Sequence, residues 1–310
     1  MNPISFVFSD GQFARKQSTL KALLRTIQFR YHSKRIYLHI PKMLEISEPL
    51  QFVFLGKKDY AMERTIILEE ESKVSIFEEY ASHEKSTYHT ETKTHIILHK
   101  NARLDFYKLQ KESVDATHTA KGRIEQAEGS AMQIFTLDSG SLNAHHEWQV
   151  QLKEKHAACA LHGLYLLNQD HQHINHHIHV DHQAPFGKSA MFYKGILDQK
   201  TQAFFNGRVK VHEKAHRIEA QQENHHLLLS KEASAKSEPQ LEIYADDIQC
   251  KHGATVGQLD PASLFYLRSR GMDEITARQL LIEAFGMEVL NKISDSTIRD
   301  YMQREVNRHE

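Results

Sequence analysis

The sequence predicts a mainly β protein that ends in a small helical module, and three observations support this fold class. Short runs of alternating apolar and polar residues recur from about residue 51 to residue 247. Few apolar stripes of helix length separate these runs. After Gly257 the pattern changes to helix start signals followed by apolar residues at helical spacing. We therefore expect a short mixed region at 1–50, a β core at 51–257 and a helical module at 258–310.

The first fifty residues carry both strand and helix signals. Residues 4–8 alternate between apolar and polar side chains and stop at Asp10 and Gly11, which form a turn signal. Residues 18–30 place leucines and Ile27 at helical spacing, with Ser18 in the N-cap position. We expect a strand at 4–8 and a short helix at 18–30.

The central region reads as one strand after another. About 200 residues of this texture are typical of a β-sandwich, a β-barrel or a β-solenoid. No exact repeat is present, and since solenoid repeats are often degenerate, the sequence pattern leaves the three architectures open. Residues 230–239 are polar and predict an exposed loop. The clearest strand runs are 65–68, 74–77, 94–98, 104–107, 132–137, 148–152 and 161–166.

The last fifty residues predict three helices. Asp260 and Pro261 supply an N-cap and a proline at the first helical position, and Gly271 ends this first helix. Asp273 caps a second helix, and Ser294 or Asp295 opens a third, more polar one. The second helix is expected to place five apolar residues on one side: Ile275, Leu280, Leu281, Ala284 and Phe285.

Composition excludes several classes of protein. The net charge is −1 and the isoelectric point is near 7.1, which argues against broad electrostatic binding to nucleic acid or anionic lipid. Two cysteines, Cys159 and Cys250, are too few for a secreted disulfide scaffold. No basic and apolar leader opens the sequence, and no apolar run approaches the roughly 18 residues of a membrane span. We expect a cytoplasmic protein.

The 23 histidines suggest metal sites, and the most specific spacing is HExxH, formed by His212, Glu213 and His216. A zinc hydrolase needs this motif on a helix, where one turn brings both imidazoles to one zinc ion. The flanking residues favour a strand instead, in which residues four apart lie about 13 Å from each other. A zinc hydrolase that uses these three residues is the alternative function.

A second histidine-rich stretch spans residues 171–182. In an extended chain its two faces differ, and we favour a solvated polar ladder over a metal site, because a site needs ligands from several strands. One face carries His171, His173, Asn175, His177, His179 and Asp181, and the other carries Ile174, His176, Ile178, Val180 and His182.

Cys250 and His252 form the third candidate site. On a strand, residues two apart point the same way and lie about 6–7 Å apart, so a thiolate and an imidazole could reach one metal ion or one cluster edge. Two ligands do not complete a zinc or iron–sulfur site, so the missing ligands would come from another chain. A packed strand end is an equally acceptable explanation for this pair. Cys159, in an apolar context, is expected to be a small buried hydrophobe.

The stretch around this pair resembles the SufB/SufD family of iron–sulfur cluster assembly proteins. Residues 239–257 read PQLEIYADDIQCKHGATVG, and residues 264–271 read LFYLRSRG. The form CxHGATVG is similar to the SufD type, since SufB members typically carry Glu where this chain has Gly253. The resemblance is firm over about 181–290 and extends in pattern from Thr65. Upstream matches in order and spacing are FNG at 205–207, QQEN at 221–224, LLLS at 227–230 and, more weakly, YKG at 193–195.

The resemblance implies a right-handed parallel β-helix, a β-solenoid, with an N-terminal region that is reduced relative to the family. It implies a scaffold without a catalytic centre, in complex with a SufB-like subunit and a SufC-like ABC ATPase that docks on residues 261–310. Cys250 and His252 would then hold a transient iron–sulfur cluster shared with the SufB-like partner, with no cofactor stably bound to the chain alone. Whether the chain also forms a homodimer stays open.

A third interpretation is a β-helix that binds or cleaves polysaccharide. Such a protein would need an export signal and a groove lined with aromatic or acidic side chains. The sequence shows no such signal and has one tryptophan, Trp148. We therefore rank this interpretation below the scaffold.

Overall fold

The computed structural model describes residues 4–14, 27–82 and 84–308, and strands dominate this part of the chain. Three helices follow the last strand. In chain order the strands are β1 (Ile4–Ser9), β2 (Gln12–Phe13), β3 (Gln28–His32), β4 (Arg35–Ile40), β5 (Leu50–Gly56), β6 (Tyr60–Leu68), β7 (Lys73–Ser82), β8 (His89–Leu98), β9 (Arg103–Lys111), β10 (Thr117–Gln126), β11 (Ala131–Asp138), β12 (Asn143–Leu152), β13 (Ala158–Leu167), β14 (His173–His182), β15 (Lys188–Leu197), β16 (Gln202–Val211), β17 (Glu219–Leu228), β18 (Ser234–Ile243) and β19 (Gln249–Gly257).

The strands form two sheets, and the chain alternates between them. Sheet A has the order β2-β1-β5-β7-β9-β11-β13-β15-β17-β19, and sheet B has the order β3-β4-β6-β8-β10-β12-β14-β16-β18. β5 adds in parallel to β1, and from β6 onward each new strand adds in parallel to the strand two before it, so every pair of strands completes one coil of a stack. This confirms the predicted β-solenoid and the seven strand runs read from the alternation.

Successive coils differ in length. Thr117 of β10 pairs with Asn143 of β12, which pairs with His173 of β14, which in turn pairs with Gln202 of β16. These intervals in sequence are unequal because the loops outside the strands vary. The stack is therefore regular in space and irregular in sequence, which explains why no exact repeat is visible.

The main hydrophobic core lies between the two sheets. Alternate side chains of each strand point inward, as strand geometry requires. In β14, Ile174, Ile178 and Val180 are buried together with His176 and His182, and the intervening side chains are partly exposed. This confirms the two faces predicted for residues 171–182. Because parallel partners place their side chains on the same side of the sheet, inward residues form columns along the stack.

Two antiparallel hairpins close the N-terminal end of the stack. β1 pairs with β2 through the predicted turn at Asp10 and Gly11, and β3 pairs with β4. Six aromatic rings pack together beneath these hairpins: Phe6, Phe8, Phe13, Phe29, Tyr31 and Phe52.

The helix predicted at 18–30 is only partly testable. Residues 18–26 lie outside the described residues. The C-terminal end of that prediction is wrong, because Gln28–His32 is strand β3. Phe29 and Tyr31 alternate with exposed residues and pack into the aromatic cluster of the cap, so tertiary packing decides the local structure here.

The opposite end of the stack is open. β18 and β19 are the last strands of their sheets, and no further coil of the described residues covers them. The loop predicted at 230–239 is wrong in its second half, because Ser234 begins β18. This strand is polar because it is the last of its sheet, so its side chains are covered by neighbours on one side only and stay partly in contact with solvent. Pro239, which has no backbone N–H to donate, is acceptable in such an edge strand.

The helices are α1 (Pro261–Ser269), α2 (Glu274–Leu290) and α3 (Ser296–Val306), capped as predicted by Asp260, Asp273 and Asp295. The helices α2 and α3 pack on the outer face of sheet A and form a second apolar core. That core joins sheet residues such as Leu109, Leu137, Leu164 and Ile196 to Val289, Leu290, Ile293, Ile298, Met302 and Val306. Among the described residues, no helix combines the length and apolar character needed to cross a bilayer.

The apolar side predicted for α2 is wrong at three positions. Ile275 is 71% exposed, and Leu280 and Ala284 are also exposed. The buried residues of α2 are Ala277, Gly286, Val289 and Leu290. The C-terminal half of the helix makes most of the contact with the sheet, where Gly286 faces Leu164 and Ile196, so Ile275 and Leu280 in the first half are left facing outward.

Candidate functional site

Cys250 and His252 lie on β19, the terminal strand of sheet A. In the parallel register Cys250 pairs with Ala220 and His252 pairs with Gln222. Both of these partners are buried inward residues of β17. Cys250 and His252 therefore occupy the last positions of two adjacent inward columns, on the same side of the strand as the spacing predicted. No following coil covers these positions.

The two side chains differ in exposure. Cys250 is half-buried and packs against the edge of the main core, whereas His252 is exposed. Burial raises the pKa of the Cys250 thiol, and a hydrogen bond with the Ala220 backbone partly offsets this effect. The thiol is therefore protonated at neutral pH. A metal ion that binds its sulfur must displace that proton.

Within the described residues, no three His, Cys, Asp or Glu side chains are grouped closely enough to hold a metal ion. The half-buried thiol and the exposed imidazole thus lie at an open end, and no other described residue joins them as a ligand. Their role as ligands stays a prediction.

The surface around the pair is partly apolar. Ile243 and Tyr244, at the end of β18, and Val256 on β19 are exposed. Both strands also present unpaired backbone groups along their free edges. Apolar side chains beside open strand edges are typical of a protein contact surface.

The strand next to β19 in sheet A, β17, has a line of buried polar side chains. Gln222, Asn224 and His226 of β17 are buried inward residues, and the Tyr165 hydroxyl lies 2.5 Å from Nε2 of His226. Burial lowers the pKa of His226 to about 4, so its ring is neutral. Asn224 accepts a hydrogen bond from the Ser237 hydroxyl of β18. Sequence analysis missed these buried polar residues, although β17 carries a polar residue at every second position and this alternation indicates them.

The HExxH residues do not form a zinc site. His212, Glu213 and His216 lie in the turn between β16 and β17, where the Ala215 N–H donates to the His212 carbonyl at 2.9 Å. The strand that we expected here is also wrong, because β16 ends at Val211. Without a helix, the spacing does not align the two imidazoles on one ion. The geometry that a zinc hydrolase needs is therefore not present in this turn.

The other candidate residues behave as structural groups. Cys159 is buried, and burial raises the pKa of its thiol to about 12, as expected for a small core hydrophobe. In the histidine-rich stretch, the outward ring of His177 packs against His145 of the neighbouring strand with 5.2 Å between ring centroids.

The helix α1 offers a second candidate contact surface. It buries none of its residues, in contrast to α2 and α3. Phe265 is 74% exposed, and Tyr266 and the nearby Ile275 are exposed as well. Large apolar side chains gathered on one exposed element are typical of a site that another protein covers.

Comparison with known proteins gives consistent matches. The family model of the SufBD core domain, described as SUF system FeS cluster assembly, matches residues 53–285. A SufBD family iron–sulfur cluster assembly protein of Synechocystis is 30% identical over 278 residues, covering 86% of this chain and 61% of that protein. The chloroplastic protein ABCI7 of Arabidopsis thaliana is 31% identical over 283 residues, covering 90% and 56%.

The iron–sulfur cluster assembly protein SufD of Escherichia coli is 30% identical over 232 residues, covering 75% of this chain and 55% of that protein. The matched segments span 61%, 56% and 55% of these three relatives. The match therefore concerns the core domain that contains the solenoid strands from β5 onward, α1 and most of α2.

Proposed function

The chain belongs to the SufBD family of iron–sulfur cluster assembly proteins, and from this premise we propose that it is a SufD-type scaffold subunit without a catalytic centre. It acts with a SufB-like subunit and a SufC-like ABC ATPase to build nascent clusters and pass them on. The observation that carries this proposal is the open last coil, where a thiol and an imidazole end two inward columns at an uncovered strand.

Cys250 and His252 supply half of a coordination site. Thiolate and imidazole are both suitable ligands for iron, and iron–sulfur clusters are commonly held by four protein ligands. The SufB-like subunit supplies the remaining ligands when it covers the open end. The cluster is cargo held at the junction, and the chain alone retains none.

The junction forms at the free edges of β18 and β19. Backbone groups along these edges are available for pairing, and Ile243, Tyr244 and Val256 supply apolar contact area. A second copy of this chain could use the same surface, so a homodimer and the heterodimer are mutually exclusive states.

The SufC-like ATPase docks on α1 through Phe265 and Tyr266 and on the first turn of α2 through Ile275. The helices α2 and α3 are fixed to sheet A by a buried apolar core, and the Lys194 ammonium also donates to the Phe285 carbonyl at 3.0 Å. A displacement that ATP imposes on the helices is therefore transmitted to the whole solenoid. Rotation of the solenoid then opens or closes the junction at β18 and β19 and exposes Cys250 and His252.

Reconstitution of the three-subunit complex tests this proposal. His252→Ala should abolish cluster formation, measured by iron content and visible absorption, while size-exclusion chromatography shows an intact complex. His216→Ala is the matched control, because it removes another exposed histidine that lies in a turn. Normal cluster formation by His252→Ala would refute the site. Failure of the chain to bind both the SufB-like subunit and the ATPase would refute the scaffold role.

A further inference from the structure

A row of ionisable side chains crosses the interior of the solenoid between the two sheets. Each member is 3% exposed or less. They come from five strands and the loop after β9, and all occupy positions where a solenoid normally places apolar residues. In order of contact they are Glu112, His118, Lys108, His146, Asp138 and His176.

Short distances link each acid, imidazole or ammonium group to the next one in the row. His118 Nδ1 lies 2.6 Å from Glu112 Oε2, and the Lys108 ammonium lies 2.8 Å from His118 Nε2. The same ammonium lies 3.3 Å from Nδ1 of His146. On the far side of that ring, Nε2 lies 3.2 Å from Asp138 Oδ1. Lys108 and Asp138 are therefore joined through the two nitrogens of one imidazole.

The Asp138 end of the row lacks ordinary hydrogen bonds. In the described part of the chain, neither Asp138 oxygen nor Nε2 of His146 has a partner with hydrogen-bond geometry. The distance of 3.2 Å between His146 Nε2 and Asp138 Oδ1 is nevertheless short. A buried ionised carboxylate without donors is costly, and native proteins rarely leave one. A proton that moves onto the carboxyl group would remove that cost.

We propose that Lys108, His146 and Asp138 form a buried proton relay, in which the imidazole passes a proton between the amine and the carboxyl group. In one arrangement the Lys108 ammonium donates to Nδ1, and the Nε2–H faces the ionised carboxylate. In the other, Nδ1 has taken a proton from Lys108, and Nε2 has given its proton to Asp138. The second arrangement contains a neutral amine and a neutral acid, and the total number of protons is unchanged.

The electrostatics of the interior bring the two arrangements close in energy. Burial lowers the pKa of Lys108, opposed by the charges of Asp138 and Glu78. Burial raises the pKa of Asp138, opposed by the charge of Lys108 and by the nearby Thr136 side chain. Burial also lowers the pKa of His146 well below its usual value, so the bridging ring is neutral. The other ionisable groups that act on these three are Arg64, Glu78, Glu112, His118, His145, Tyr165, His176 and Tyr193.

Histidine tautomers give a readout that a purely structural imidazole would not change. In protein labelled with ¹⁵N-histidine, the His146 ring nitrogens should show exchange between the Nδ1–H and Nε2–H tautomers, because the two arrangements differ in which ring nitrogen carries the proton. His146→Phe assigns the signals. His145→Phe is the matched control, since His145 is the adjacent residue of β12 and faces outward. If His146→Phe does not fold, Asp138→Asn assigns the His146 signals instead, because this variant should hold the His146 ring in one tautomer. A single tautomer in the wild type that Asp138→Asn leaves unchanged overturns the relay.

Infrared difference spectroscopy tests the carboxyl end directly. A protonated carboxyl band that is lost in Asp138→Asn should titrate in the wild-type protein. Its midpoint should rise by about one pH unit or more in Lys108→Met, because the nearby positive charge is removed. A midpoint that is the same in the wild type and Lys108→Met shows that the two groups do not share a proton through His146, and refutes the proposal.

Discussion

Replacing Gly163 by alanine places a methyl group against a buried ring. An ideal Cβ at this position would lie 2.3 Å from Cε1 and 2.5 Å from Cδ1 of Tyr193, and 2.8 Å from Oγ1 of Thr136. Tyr193 is the register partner of Gly163 and is fully buried. Its ring cannot retreat easily, because His176 and Phe205 each pack against it with 5.2 Å between centroids.

The expected cost follows from overpacking. Added methyl groups in filled cores typically cost about 1–3 kcal/mol, and contact with two atoms of a confined ring puts Gly163→Ala near the upper value. With an unfolding entropy of about 2.1 cal/mol/K per residue, a chain of this length has about 0.65 kcal/mol/K. A loss of about 3 kcal/mol therefore lowers the midpoint of thermal unfolding, Tm, by about 5 °C.

Differential scanning calorimetry measures this shift, and Gly253→Ala is the matched control. A Cβ at Gly253 meets no heavy atom within 4 Å, so its Tm should stay within about 1–2 °C of the wild type. Equal Tm values for Gly163→Ala and the wild type would show that the Tyr193 ring has room to move, and the close packing inferred here would be wrong.

Three other changes probe the contact surface, the helix anchor and the buried histidines. Phe265→Ser should leave Tm unchanged and weaken binding of the SufC-like ATPase at least about tenfold by calorimetry; unchanged affinity would exclude α1 as the dock. Lys194→Met removes the ion pair with Glu288 and a cation that lies 4.1 Å from the Phe285 ring centroid, and should speed amide exchange in the second half of α2 about tenfold. Unchanged exchange would show that apolar packing alone holds α2. Burial lowers the pKa of His182 to about 4, so only the unfolded chain takes up a proton as the pH falls below about 6.5, and stability falls by up to about 1.4 kcal/mol per pH unit. His182→Gln should reduce the wild-type loss between pH 7 and pH 5 by about 2 kcal/mol in thermal unfolding, and an equal loss in both proteins would contradict this.

Local patterns predicted the elements well and their stacking poorly. Alternation revealed the strands because each one has an inward and a partly exposed face, and Asp260, Asp273 and Asp295 revealed the helix starts through their caps. The strands are of similar length but the loops between them vary, so no repeat shows in the sequence and residue patterns alone could not separate a solenoid from a sandwich or barrel. The resemblance of residues 239–257 to a known family supplied that distinction.

Several features depend on sheet topology, which local sequence patterns do not reveal. The spacing of Cys250 and His252 indicated that they share a side of one strand, but their exposure depends on β19 being the last strand of its sheet. Strand β18 was missed because a terminal strand needs few apolar residues. The interior row containing Lys108 and Asp138 was missed because an inward charge and an outward charge look the same until the register of five strands is known.

The two ends of the stack differ in the length of their edge strands. At one end the edge strands β2 and β3 have two and five residues and belong to folded-back hairpins, whereas at the other β18 and β19 have ten and nine residues. Long free edges recruit further strands, and a body with such edges at both ends would add copies without limit. Because the long free edges lie at one end only, strand addition through β18 and β19 would join no more than two bodies, and fibre growth by this route would stop there.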